Sequence, residues 1–159
     1  MELIEFSYRH IDVEVEKLGE KFRFTGFYGE WDRRRRDSWA LLECIKDKSR
    51  LPWLAGGDFN EILTHSGKVG GRRRAEDDMA QFRAALSCTG LHDVRPNKGW
   101  ERMDRFTASR DWLLNSPQAF VSTVMTTESD HAAILLNSKG DDCIKGSRGR
   151  HKQFHFENC

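Results

Sequence analysis

Apolar and polar residues alternate with a period of two near the start of this chain, then shift to a longer period. Ile11, Val13 and Val15 are separated by Asp12, Glu14 and Glu16, which predicts a half-buried strand with its apolar side inward. Gly19 interrupts the pattern. Phe22 and Phe24 then alternate with Arg23 and Thr25 over residues 21–27, so a second strand and a hairpin are expected. Over residues 32–49, Trp39, Leu42 and Ile45 fall at helical spacing beside Leu41, with Asp32 as the expected N-cap. Pro52 precedes the apolar run Trp53-Leu54-Ala55, closed by Gly56-Gly57, which suits a strand covered on both faces.

Residues 65–71 read as loop. Met79, Phe82 and Leu86 share one side of a helix over residues 75–87, which Gly90 ends. A short strand is expected at 91–94, a helical turn at 111–115, and strands at 119–125 and 132–136, whereas 101–108 fits neither period cleanly. The chain therefore divides into a domain over 1–137 and a polar tail over 138–159, in which Phe154 and Phe156 alternate again. Strands interleaved with helices predict an α/β layered domain.

Composition narrows the class. A chain of 159 residues has room for one ordinary domain. With 26 Lys+Arg against 25 Asp+Glu the formal charge is only +1, which argues against a polycation or an acidic tail protein. Arginine outnumbers lysine 17 to 9, and its planar fork suits phosphate and carboxylate. No apolar run reaches the roughly 18 residues of a membrane span. The start, Met1-Glu2-Leu3-Ile4-Glu5-Phe6, lacks the pattern of a signal peptide. Cys44, Cys88, Cys143 and Cys159 are scattered, as expected of reduced thiols in an intracellular protein, nuclear or cytoplasmic, with no membrane partner.

Two short motifs carry candidate chemistry. Gly57-Asp58-Phe59-Asn60 directly follows the apolar run, and ligand sites in open α/β sheets lie just beyond strand carboxyl ends. There Asp58 can hold a metal or orient a water, and Asn60 can donate to a phosphate oxygen. The same tetrapeptide is also ordinary turn composition. Ser129-Asp130-His131 precedes an apolar strand, and a carboxylate beside a histidine can fix its tautomer and raise its basicity. A solvated loop with a capping Asp130 is the plainer alternative.

Taken together, the motifs resemble the endonuclease/exonuclease/phosphatase superfamily, and most of all the endonuclease domain of plant non-LTR (LINE-type) retrotransposons. The phrases Phe24-Thr25-Gly26-Phe27-Tyr28-Gly29, Leu51-Pro52-Trp53-Leu54, Gly57-Asp58-Phe59-Asn60-Glu61-Ile62-Leu63, Glu101-Arg102-Met103-Asp104-Arg105 and Phe154-His155-Phe156-Glu157-Asn158 carry the likeness, from about His10 to Asn158. The resemblance implies a four-layered α/β sandwich and Mg2+-dependent cleavage of DNA phosphodiesters. It implies that Asp58 positions the attacking water, Asn60 orients the phosphate, His131 polarises it with Asp130 behind, and Tyr28 contacts it. Asp58, Asn60, Asp130 and His131 are the implied metal-site residues. A reverse transcriptase is the implied partner in related full-length polyproteins.

The likeness also implies departures. The family's early strand with an Asn, and the metal-binding Glu after it, have no counterpart here, so the expected fold is a partial sandwich without its N-terminal portion. A central segment next to Trp100 is absent too, and Trp31 stands where a proline is usual. Loss of a main ligand is expected to impair Mg2+ catalysis. Two alternatives remain: a non-catalytic nucleic-acid or protein-binding remnant resting on Arg33-Arg34-Arg35-Arg36 and Arg72-Arg73-Arg74, or an active enzyme whose missing Glu is replaced by Asp12, Glu14 or a partner chain. His151, His155 and Cys159 imitate zinc spacing without a fourth ligand. Trp39, Trp53 and Trp112 are expected in the core.

Overall fold

The computed structural model describes residues 1–17, 19–65, 74–95, 103–124 and 133–139. Six strands form one sheet: β1 (Glu2–Phe6), β2 (His10–Lys17), β3 (Glu20–Tyr28), β4 (Trp53–Asp58), β5 (Leu91–Asp93) and β6 (Asp104–Ser109), in the spatial order β1-β2-β3-β4-β6-β5. β3 and β4 run parallel, so the chain needs a crossover between them, and α1 (Arg35–Lys46) supplies it. The other pairings are antiparallel. α2 (Glu76–Thr89) precedes β5, and α3 (Arg110–Asn115) follows β6. A separate antiparallel pair, β7 (Phe120–Val124) and β8 (Ala133–Asn137), completes the described elements.

The central sheet is covered on both faces, which is why Trp53-Leu54-Ala55 reads as a continuous apolar run. Phe27, Trp53 and Ala55 face the helices and pack with Trp39, Leu42, Ile45 and Phe82. The Trp39 and Phe82 rings stack with centroids 4.6 Å apart. On the other face Leu54, Ala108, Trp112 and Val121 form a second core, with Phe22, Phe24, Phe106, Ile134 and Leu136 against it. The layers are thus α1 with α2, the six-stranded sheet, and α3 with the two-stranded sheet, a mixed α/β arrangement as expected. α2 ends at Gly90, whose φ of 71° is the left-handed conformation that glycine adopts without strain.

Two expectations need correction. On β2 the apolar side is not uniformly inward: Ile11 is half exposed, whereas Asp12 is completely buried. Asp12 turns toward the helix layer because Arg23 meets it there, with Nε 2.9 Å from each carboxylate oxygen and Nη2 at 2.6 Å. Thr25 Oγ1 donates to the same carboxylate at 2.8 Å, and the remaining Arg23 donors reach the Ile45 and Lys46 carbonyls at the end of α1. The guanidinium also lies 4.6 Å from the centroid of the Trp53 ring. The second correction concerns Asp32, which precedes the cap position: α1 is entered through Arg34, and Asp32 instead closes a turn by accepting the Arg34 N–H at 2.8 Å. β1, which no periodicity predicted, covers the outer edge of β2.

Candidate active site

Strand register assembles the site. Tyr28 on β3 lies opposite Asp58 on β4, and Asp58 lies opposite Asp104 on β6. Directly opposed residues project to the same face, so a phenol and two carboxylates stand abreast across three strand ends. The row behind them is Gly26, Gly56 and Phe106, and the next is Phe24, Leu54 and Ala108, which belongs to the second core. The polar row therefore caps an apolar floor on the face away from α1 and α2. A Cβ on Gly56 would lie 2.3 Å from Phe106 Cε1, so the aromatic ring rests directly on the glycine behind Asp58.

Close backbone approach fixes the loops around this row. Gly57 has φ of 145°, and a Cβ there would come within 2.1 Å of the Phe27 carbonyl oxygen. Gly29 donates its N–H to the Asp58 carbonyl at 2.7 Å, and Phe59 donates to the Met103 carbonyl at 2.9 Å, tying all three strand exits together. Asn60 completes the lock. Its backbone takes φ of 55°, which asparagine tolerates better than most residues. Its N–H donates to Asp58 Oδ1 at 2.8 Å, and its side-chain amide donates to the Gly29 carbonyl at 2.7 Å. Asp58 is thereby held in one orientation, half buried, while Asn60 itself is buried.

Behind this loop lies a carboxylate that sequence reasoning passed over. Glu61 is fully buried, with Arg35 Nε at 3.4 Å and Arg74 Nε at 3.7 Å. Arg74 also reaches the Asn60 carbonyl, and Arg105 the Glu61 carbonyl, so guanidinium groups brace the loop from behind. Arg34 pairs with Asp32 and Glu30, and Arg36 with Gln81. The Arg34 N–H holds the Asp32 carboxyl below its ordinary range, and Asp32 raises the Arg34 guanidinium in return. Most of the first arginine cluster is thus engaged in the fold, as is Arg74 of the second; Arg72 and Arg73 lie outside the described residues.

Of the expected site residues, Tyr28, Asp58 and Asn60 come together; Asp130 and His131 lie outside the described residues, as do the histidines and Cys159 of the zinc-like spacing. Asp104 is the addition. It fell in the ambiguous stretch at 101–108, where only the Met103-Asp104-Arg105 phrase marked it. Asp12 cannot stand in as a metal ligand, because Arg23 and Thr25 enclose it. Glu14 pairs with Arg23, five residues along β3 from Tyr28 and so about 16 Å away. Trp39, Trp53 and Trp112 are buried as expected.

A mixed sheet bearing this row, with helices behind and a second sheet in front, is the α/β fold of the endonuclease/exonuclease/phosphatase type. Residues 3–131 match the Endonuclease/Exonuclease/phosphatase family, and the chain belongs to it. Among solved structures it is similar to the endonuclease domain of TRAS1, a telomere-specific non-LTR retrotransposon, at 17% identity and a TM-score of 0.61, covering 82% of this chain and 63% of that one. It is also similar to beta toxin from Staphylococcus aureus, at 18% identity and a TM-score of 0.56, covering 82% and 57%. A variant of that toxin with bound magnesium ions aligns at 15% identity and a TM-score of 0.51, covering 82% and 54%. The chain spans less than two thirds of each of these structures. No curated protein sequence matches it.

Proposed function

We propose that the Tyr28–Asp58–Asp104 row is part of the site of a Mg2+-dependent DNA phosphodiesterase of the retrotransposon endonuclease type. The observation that carries this reading is the register, which sets a phenol and two carboxylates abreast on a braced strand-end platform. Hard carboxylate oxygens suit Mg2+, which commonly takes one or two carboxylates and completes its shell with water and phosphate. Asp58 and Asp104 are the fitting donors; among the described residues no three His, Cys, Asp or Glu side chains gather to form a fuller set. When bound, the metal would supply charge for the developing phosphorane.

The chain's own groups divide the remaining work. Tyr28, half exposed, presents its hydroxyl to a phosphate oxygen. Asp58 accepts a hydrogen bond from the attacking water and aligns it, while Asn60 fixes Asp58 and the β3 exit. His131, with Asp130 beside it, polarises the phosphate. We infer that a row offering two carboxylates among the described residues makes a weak catalyst. TRAS1 and the bound magnesium of the toxin variant support the class of reaction. A binding remnant built on the arginine clusters has less support, since Arg34, Arg35, Arg36 and Arg74 already have protein partners.

Titration of the isotope-labelled protein with Mn2+ and a dinucleotide phosphodiester tests the site. Paramagnetic broadening centred on Asp58 and Asp104, and lost in Asp58→Asn, is expected. Broadening confined to other surface carboxylates would contradict the assignment.

A further inference from the structure

The row is bordered by aromatic rings that the fold leaves in solvent. Phe6 is 72% exposed, Tyr8 80% and Trp31 64%, beside Tyr28 at 51%. Isolated exposed apolar residues are ordinary, but a group of rings at one edge of a candidate site is not. The backbone gathers them. Phe6 pairs with Ile11, which pairs with Gly26, so Phe6 stands on the same sheet face as the row. Tyr8 forms the β1–β2 turn, and the Arg9 carbonyl of that turn accepts the Tyr28 N–H at 2.8 Å. Trp31 stands three residues past Tyr28, on the loop that Arg9 grips through Glu30 at 3.7 Å.

Cations are interleaved with these rings. The Arg9 guanidinium lies 5.1 Å from the centroid of the Tyr8 ring, and Arg33 and Arg34 follow Trp31 on the exposed approach to α1. Glu30 and Asp32 offset much of this charge, so a merely electrostatic grip on a duplex backbone would be weak here. Flat rings with modest positive charge match a different ligand: unpaired bases, each offering a face to stack on, threaded by a phosphate backbone. Half-exposed Ile11 lies between Phe6 and Gly26 on this face, so the rings surround a small aliphatic centre.

We propose that Tyr8 and Trp31, with Phe6, form a stacking platform for unpaired nucleobases of a single strand whose phosphate lies at the Tyr28–Asp58–Asp104 row. This rests on the phosphodiester reading and sharpens its substrate to nucleic acid with bases splayed out beside the cut. Among the described residues Trp31 provides its own reporter, because Trp39, Trp53 and Trp112 are buried; Trp100, outside them, is replaced by Phe in every protein titrated.

The full chain is titrated with oligothymidylate, with an abasic strand of the same length and with duplex DNA, while tryptophan fluorescence and binding are followed. Quenching by oligothymidylate that the abasic strand does not reproduce is expected, and Trp31→Phe should abolish it. Tyr8→Ala should weaken single-strand binding about fivefold or more. Both side chains are exposed, so unchanged melting of the two variants confirms that folding is intact. Equal quenching and affinity for the thymidylate and abasic strands would overturn the platform, as would binding indifferent to both substitutions. The site assignment at Asp58 and Asp104 fails separately, through the Mn2+ experiment, so either failure is recognisable.

Discussion

The side-chain amide of Asn60 donates to the carbonyl of Gly29 at 2.7 Å, joining the loop after β4 to the loop after β3. The same residue caps the Asp58 carboxylate with its own N–H. A single side chain therefore sets the spacing between the strand ends that carry Tyr28 and Asp58. Asn60→Ala leaves the buried Gly29 oxygen without this donor, at a cost of about 1–3 kcal/mol. It also places alanine at φ of 55°, which adds strain. Asn60→Gly relieves the strain but not the lost bond. Thermal melts should rank the stabilities wild type, Asn60→Gly, Asn60→Ala in descending order.

The Asp12–Arg23 pair is buried on both sides and holds the end of α1. Arg23→Met removes the fork and leaves a carboxylate in the interior, which typically costs about 3–5 kcal/mol. Replacing both partners with apolar residues of similar size should recover most of that loss. Urea denaturation of the two single variants and the double variant checks this as a cycle.

Glycines differ in what they tolerate. Gly57→Ala meets the Phe27 backbone oxygen, which cannot move aside, so the variant should fail to melt cooperatively. Gly19→Ala, at φ of 82° but with nothing within 4 Å, carries only conformational strain of about 1–2 kcal/mol and should fold. Near-ultraviolet circular dichroism of both variants distinguishes the cases.

Glu5 titrates below its ordinary value, chiefly because Lys48 donates to it at 3.0 Å, with His10 adding to the effect and burial opposing it. A carboxyl depressed in the folded state contributes stability above its unfolded pKa and loses it as pH falls through the folded one. The Glu5 titration followed by NMR should therefore midpoint below 4.5, and Lys48→Met should move it upward. The accompanying stability change should be small and salt-sensitive, since Lys48 is half exposed.

Elements with a clean period were legible in the sequence. The buried strand at Trp53, the helix before Gly90 and the hairpin around Gly19 all follow from apolar spacing and turn residues. Asp58 was legible because a Gly-Asp-x-Asn phrase followed an apolar run. Asp104 was not, because Arg105 and Thr107 on the same strand are buried against the helix layer and break the alternation. Asp12 was misplaced for a related reason: its partner Arg23 neutralises it from the neighbouring strand, and such pairing leaves no mark on periodicity. Glu61 hides likewise behind Arg35 and Arg74. The exposed rings of Tyr8 and Trp31 look like any other aromatic until burial is known.

The proposal that the Tyr28–Asp58–Asp104 row is a weakly active phosphodiesterase site is tested most directly on supercoiled plasmid. The protein is incubated with plasmid and Mg2+ beside an Asp58→Ala control, and DNA binding is titrated with salt in parallel. The account predicts salt-sensitive binding and slow nicking that Asp58→Ala abolishes. Nicking that survives Asp58→Ala, or absence of nicking, would contradict the phosphodiesterase site.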